Sequence, residues 1–257
     1  MFRNYLTIAL RNIIRHRLYS FINIAGLAVG LTCVILITLF VRDELSYDKW
    51  IAGSENLWRV EVTYHVPGRS DPIITAQTSM PLPAAMRDQI PEVRSATRLA
   101  RETLTLTAGD RQFSSNVGTV DSNFLQVIPL PLVAGDPRTA LAQPENIVIS
   151  QSAARKYFGD ADPIGKTLTT GRGGCDEDTV CANTTVALKV VAVTRDLPHN
   201  TQFDFDFLMP NTSLADRIDQ DQKKNWLSNS NNFGYVTLAP GTDPAQVIAK
   251  LKPILDR

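Results

Sequence analysis

The sequence predicts an α+β protein: one N-terminal transmembrane helix, then a mixed α/β outer domain of two subdomains built from strand–helix–strand units. Three observations carry that expectation. Leu18 to Val41 is uncharged and apolar, and no other stretch is long enough to cross a bilayer. Beyond it, short β-branched runs alternate with segments whose apolar residues recur every three or four positions. Proline- and glycine-rich punctuation separates the two kinds of segment.

A hydrocarbon core of ~30 Å needs roughly 20 apolar residues in a helix. Phe21 to Val41 meets that length, with Arg17 before it, Arg42 after it and Asn23 as the one amide inside. A signal peptide would carry an apolar core of ~7–15 residues and a small-residue cleavage site. Here the core is longer, and Gly26-Leu27-Ala28 cleaves poorly, so residues 18–42 are read as an uncleaved transmembrane helix. Residues 1–17 place Phe2, Leu6, Ala9 and Ile13 at helical spacing, with Arg3, Arg11 and Arg15 spread around them. That pattern suits a cytoplasmic amphipathic helix lying in the headgroups with its arginines toward anionic lipid, rather than a plain extension of the span.

Charge sets the orientation. Arg3, Arg11, Arg15 and Arg17 precede the span without an acid, whereas Asp43, Glu44 and Asp48 follow Arg42. The positive-inside bias puts the N-terminus in the cytoplasm and residues 43–257 outside, as for a bacterial inner-membrane protein with a periplasmic domain. The chain balances 26 basic against 26 acidic residues, so without those four arginines the remainder is net acidic. No nucleic-acid partner is expected, because such binders show a basic face. In the oxidising periplasm Cys175 and Cys181 are candidates for a local disulfide that staples a loop. A zinc site there would need two more ligands, and His16, His65 and His199 are distant in sequence. Cys33 lies in the span.

The outer elements follow in order. Leu57 to Val66 reads as a strand with Val60, Val62 and Tyr64 on one face; Pro67-Gly68 turns the chain and Ile73 to Thr78 returns it. Pro81 opens a helix with Leu82, Ala85, Met86 and Ile90 buried, and Pro91 ends it. Val93 to Val120 predicts short strands around the Gly109-Asp110 turn, and Asp121 is placed to cap a short helix through Ile128. Ile147 to Ile149 is a buried strand. Ser150 then caps a helix with Ala154, Tyr157 and Phe158 on one face, ended by Gly159. Asp162-Pro163-Ile164-Gly165 has turn chemistry with proline second, and Lys166 to Thr170 is strand-like. Thr185 to Val193 is the strongest strand, apolar on both faces at its end and so expected to be central. Phe203, Phe205 and Phe207 alternate with Asp204 and Asp206 as a half-buried strand, and Tyr235 to Leu238 is another. Asp243 and Pro244 start a last helix with Val247, Ile248, Leu251 and Leu255 buried.

Few motifs suggest chemistry. Gly159 to Thr167 imitates a phosphate-binding loop, but five residues separate the glycines where four are needed. It also follows a helix instead of opening one, and Pro163 lacks an amide. Asp204 and Asp206 share a strand face and could hold a cation or a proton, though a solvated face is the plainer reading. Asp176, Glu177 and Asp178 lack the ordered ligand spacing of a calcium loop. Asn183 and Asn211 head glycosylation-type triplets that matter only in a eukaryotic secretory route. No catalytic, cofactor-binding or metal-ligating constellation stands out, so the chain is read as non-enzymatic.

Two blocks taken together resemble a known family. Ile147 to Leu168, IVISQSAARKYFGDADPIGKTL, and Leu188 to Pro210, LKVVAVTRDLPHNTQFDFDFLMP, are similar to the MacB-like periplasmic core domain of FtsX-like and MacB-like ABC transporter permeases. Asn4 to Ile13 and Phe21 to Gly30 look like that family's N-terminal helix and first span. The resemblance implies a permease subunit that pairs with a separate ABC-type ATPase. It implies a homodimer or paired permease and a periplasmic protein partner, in export, lipoprotein handling or mechanotransmission. Family members carry further spans after this domain, so a chain ending at Arg257 is read as a fragment or a truncated gene. The alternative is a single-span sensor or adhesion protein whose periplasmic domain binds a ligand.

Overall fold

A computed structural model describes residues 2–65, 67–171, 185–213, 224–226 and 232–255. It divides into two compact units, Met1–Asp48 and Lys49–Arg257.

The first unit is helical. Helix α1 spans Phe2–Arg15, and α2 spans Arg17–Leu45. With 29 residues α2 is roughly 43 Å long at 1.5 Å per residue, and none of its residues is buried. By length and composition it can cross a membrane. Its two threonine hydroxyls are satisfied internally: Thr32 Oγ1 donates to the Ala28 carbonyl and Thr38 Oγ1 to that of Val34, each at 2.7 Å. An apolar surrounding requires such pairing, because it offers polar groups no water. At the end of α2 the Ser46 N–H is shared between the carbonyls of Arg42 and Asp43.

The second unit is a mixed α/β fold. Its elements are β1 (Leu57–Arg59), β2 (Val62–Tyr64), β3 (Ile73–Thr75), α3 (Leu82–Gln89), β4 (Val93–Ala108), β5 (Arg111–Val120), α4 (Phe124–Val127), β6 (Leu132–Ala134), β7 (Asn146–Ser150), α5 (Gln151–Phe158), β8 (Thr167–Gly171), β9 (Thr185–Thr194), β10 (Phe207–Pro210), β11 (Asn232–Leu238), α6 (Pro244–Ala249) and α7 (Lys252–Leu255). Among the described residues nine strands form one sheet, ordered β1-β11-β4-β5-β10-β7-β9-β6, with β8 pairing both β4 and β9. Strands β2 and β3 form a separate hairpin.

The pairings close a ring: β4–β5–β10–β7–β9–β8 and back to β4. Side-chain alternation then sorts the core. Leu104, Leu106, Val117, Ile147, Ile149, Leu168, Leu188, Val190, Phe207 and Met209 fill one cluster with Ala153, Ala154 and Tyr157 of α5. Their opposite-face neighbours Val120, Val148, Ala192 and Leu208 pack in a second cluster with Leu99, Phe124, Phe203 and Tyr235. A third cluster joins α3 to β4, β11 and the C-terminal helices through Met86, Ala96, Val236, Val247 and Ile254.

Several expectations are corrected. The first strand breaks at Val60-Glu61 because its two halves serve different partners, β1 pairing β11 and β2 pairing β3. Val93 to Val120 forms two long strands of 16 and 10 residues, not short ones, joined by a two-residue loop with Gly109 at φ 57°. Regular alternation fails in β4 because both faces of its first half are covered: Leu99 enters one core and Ala96 another. Phe203 and Phe205 lie outside any strand, since Phe203 packs in the second cluster while Phe207 enters the first. The last helix divides into α6 and α7; Pro253 lacks an N–H and crowds the carbonyl four residues back, at Ala249. Ile248 is 65% exposed, whereas Ile254 is buried.

Candidate functional site

The segment that imitates a phosphate loop is a helix stop, a turn and a strand start. Gly159 (φ 65°) ends α5, and Asp162 Oδ1 accepts the Ile164 N–H at 3.0 Å. The turn closes one residue later than its composition suggests. Lys166 N–H donates to the Pro163 carbonyl at 3.1 Å, with Gly165 at φ 79°. Gly165 N–H donates to the Val190 carbonyl at 2.8 Å, so the amides of Ile164, Gly165 and Lys166 are engaged within the fold and do not form a phosphate cradle.

The start of α5 is equally occupied. Ser150 Oγ accepts the Ala153 N–H at 3.1 Å, as its sequence position predicts. Asp196 Oδ1 accepts the Ser152 N–H at 2.8 Å. Asp206 enters beside this corner, its backbone N–H donating to the Asn116 carbonyl at 3.1 Å and its carbonyl accepting the Ser150 N–H at 2.9 Å. Burial raises the Asp206 carboxyl above the usual aspartate range; Lys156 opposes that shift, while Asp204 and Asp196 reinforce it. Asp204 is exposed and Asp206 half-buried. Among the described residues no group of three or more His, Cys, Asp or Glu side chains gathers in a metal-binding arrangement.

Tyr157, predicted only as a core residue, carries a polar role as well. Its hydroxyl meets Ser115 Oγ at 2.9 Å and donates to the Phe113 carbonyl at 3.2 Å, deep in the first cluster. Burial raises its pKa. Its ring packs edge-on against Phe113 and Phe207, with centroids 5.3 and 5.5 Å away.

Asp121 does not cap α4 with its side chain; Asn123 holds the cap position. The Asp121 carboxylate instead meets Arg98 of β4, whose Nη1 donates to the Met80 carbonyl at 3.1 Å. Asn211 Nδ2 donates to the same carboxylate at 2.5 Å, so the amide of that glycosylation-type triplet is engaged in the fold. This knot joins four separate segments, and only its charged residue types hinted at it. His199 is exposed on a loop. Cys175 and Cys181, with Asp176, Glu177, Asp178 and Asn183, lie outside the described residues, and Cys33 is a free, exposed thiol of α2.

Comparison with known proteins bears on this arrangement. Residues 20–254 match the model of the MacB-like periplasmic core domain, so the match takes in most of α2 as well as the sheet. A Pseudomonas fluorescens protein described as an export ATP-binding/permease protein is 25% identical over 182 residues, covering 68% of this chain and 28% of that protein. The chain thus spans little more than a quarter of that relative's length. A permease-protein domain from Porphyromonas gingivalis superposes with a TM-score of 0.66 at 26% identity, covering 80% of this chain and 83% of that one. The periplasmic region of MacB from Actinobacillus actinomycetemcomitans has the same fold, with a TM-score of 0.53 at 16% identity, covering 78% and 83%.

Proposed function

The chain belongs to the family of MacB-like periplasmic core domains, and from that premise we propose that it is the anchored outer part of an ABC transporter permease. The carrying observation is that one family model spans both the apolar helix and the sheet domain, from residue 20 to residue 254. We read the domain as non-catalytic and as moved by ATP hydrolysis elsewhere. The motor is an ABC-type ATPase, either a partner subunit or another part of the same polypeptide, as the joined ATP-binding and permease description of the Pseudomonas fluorescens relative suggests. The domain stands on the periplasmic side, with residues 1–17 on cytoplasmic lipid, and works as one half of a paired permease on periplasmic substrates or proteins. The tasks that fit are export, lipoprotein handling and mechanotransmission.

Arg42 to Trp50 is charged and aromatic without a Gly/Ser-rich linker, which supports transmission of helix displacement to the domain. The two-subdomain division is part of the same reading, with its seam along β4. The first half of that strand pairs with β11 and its second half with β8. Affinity purification of the intact native protein from membranes tests the proposal. The expected result is an ABC-type ATPase in stoichiometric amount, as a co-purified subunit or as a segment of the same polypeptide. Recovery with no ATPase in either form contradicts it and favours an anchored sensor.

A further inference from the structure

An open cleft lies where the β4–β5 hairpin loop meets the end of α5 and the start of β8. Its walls include Ala108 and Gly109 of the hairpin, Arg111 of β5, Phe158 of α5, and Lys166 and Thr167 at the entry to β8. Arg111 Nη1 donates to the carbonyls of Lys156 and Tyr157 at 3.3 and 3.2 Å, which fixes the guanidinium across the last turn of α5. Lys166 Nζ sits 5.1 Å from the ring centre of Phe158. Neither cation forms an ion pair among the described residues. Two positive charges are thus held in place, one by carbonyls and one by a ring, and among the described residues no carboxylate is paired with either.

We propose that this cleft is a carboxylate-binding site, which receives an acidic side chain of a partner protein between Arg111 and Lys166. The charge inventory selects the ligand. A guanidinium anchored by one nitrogen keeps Nε and Nη2 for a planar oxyanion, and a nearby ammonium adds a point charge. The positive field is limited, because the C-terminal carbonyls of α5 face the same cleft with their negative dipole end. Asp110, Asp160 and Asp162 stand in the adjoining loops. A single carboxylate matches two cations so attenuated, whereas a phosphate dianion or a polyanionic lipid surface would meet carbonyls and acids at the rim. The apolar walls of Ala108 and Phe158 suit an acidic residue flanked by apolar ones. The cleft would hold a carboxylate whether or not an ATPase drives the protein.

The test uses the full chain in zwitterionic nanodiscs and a fluorescein-labelled hexapeptide alternating glutamate and leucine, read by anisotropy. The glutamine-for-glutamate peptide and inorganic phosphate are the comparators. Losing one charge-assisted contact should weaken binding about tenfold in Lys166→Gln and in Arg111→Gln, with Lys252→Gln unchanged. The glutamine peptide should bind at least as weakly as the variants do. Lys166→Gln leaves the Arg111 anchor intact, so its result stands even if Arg111→Gln does not fold. Equal binding of the two peptides, no binding by the wild-type chain, no effect of Lys166→Gln, or displacement of the peptide by equimolar phosphate overturns the proposal.

Discussion

The Asp121 carboxylate accepts the Arg98 guanidinium on both oxygens, with Nε 3.1 Å from Oδ1 and 3.0 Å from Oδ2. The pair is mostly buried, the side chains being 18% and 21% exposed. It ties the middle of β4 to the end of β5, and Asn211 and the Met80 carbonyl join it. Removing one partner strands the other in a poorly solvated place. Asp121→Ala should lower stability by about 2–4 kcal/mol, measured by urea unfolding of the full chain in detergent. A loss no larger than for an exposed aspartate such as Asp71 would show the knot to be unimportant.

Tyr157 and Ser115 share a buried hydrogen bond at 2.9 Å. Tyr157→Phe should cost about 1–2 kcal/mol, because the Ser115 hydroxyl loses its partner inside the first core cluster. Adding Ser115→Ala should restore part of that loss, giving a favourable coupling in the double-mutant cycle. Strict additivity would mean that the hydroxyls do not support one another.

Asp206 offers a pH test. Burial raises its folded-state pKa above the unfolded value, with Asp204 and Asp196 adding to the shift and Lys156 opposing it. A carboxyl raised in this way favours the folded state fully below its unfolded pKa, and that contribution is lost as pH rises through the folded value. Asp206→Asn removes the ionisation. The variant should therefore melt higher than wild type at neutral pH, by no more than about 1 kcal/mol of stability at a half-exposed site. The gain should vanish by about pH 3. A gain that persists there would assign the effect to packing instead of charge.

The segment after α2 carries the coupling proposal. A long Gly/Ser linker inserted after Asp48 in the intact permease should leave ATP hydrolysis running while the transport or release that it drives falls severalfold. Undiminished output would remove the connector from the mechanism.

Much of this architecture was legible in the residues. Ser150 announces α5 because a hydroxyl before an apolar stripe can accept a free amide, and it accepts that of Ala153. Ile147 to Ile149 and Val190 to Val193 read as buried strands because neither offers a polar face. Ring closure through β8 was not legible, since which strand meets the second edge of β8 depends on sheet curvature and not on local pattern. Asp121 misled because one aspartate suits a cap and an ion pair equally well, and Arg98 lies 23 residues away in sequence. At Arg111 and Lys166 the difficulty is similar: each is an ordinary surface cation until the hairpin loop and α5 converge. The resemblance of two sequence blocks to the family rested on residues 147–168 and 188–210, which take in most of β7, all of α5 and β10, the start of β8 and the latter part of β9, one side of the ring.

In the proposed function α2 remains in lipid and holds the sheet domain on the periplasmic face. Protease digestion of spheroplasts expressing the intact protein, with an epitope at each end of the present segment, tests it most directly. The epitope after residue 257 and the region from Lys49 onward should be cut from outside, while the epitope before α1 survives until the membrane is permeabilised. Protection of the sheet domain in intact spheroplasts, or a mature protein that begins beyond Ala28, would contradict it.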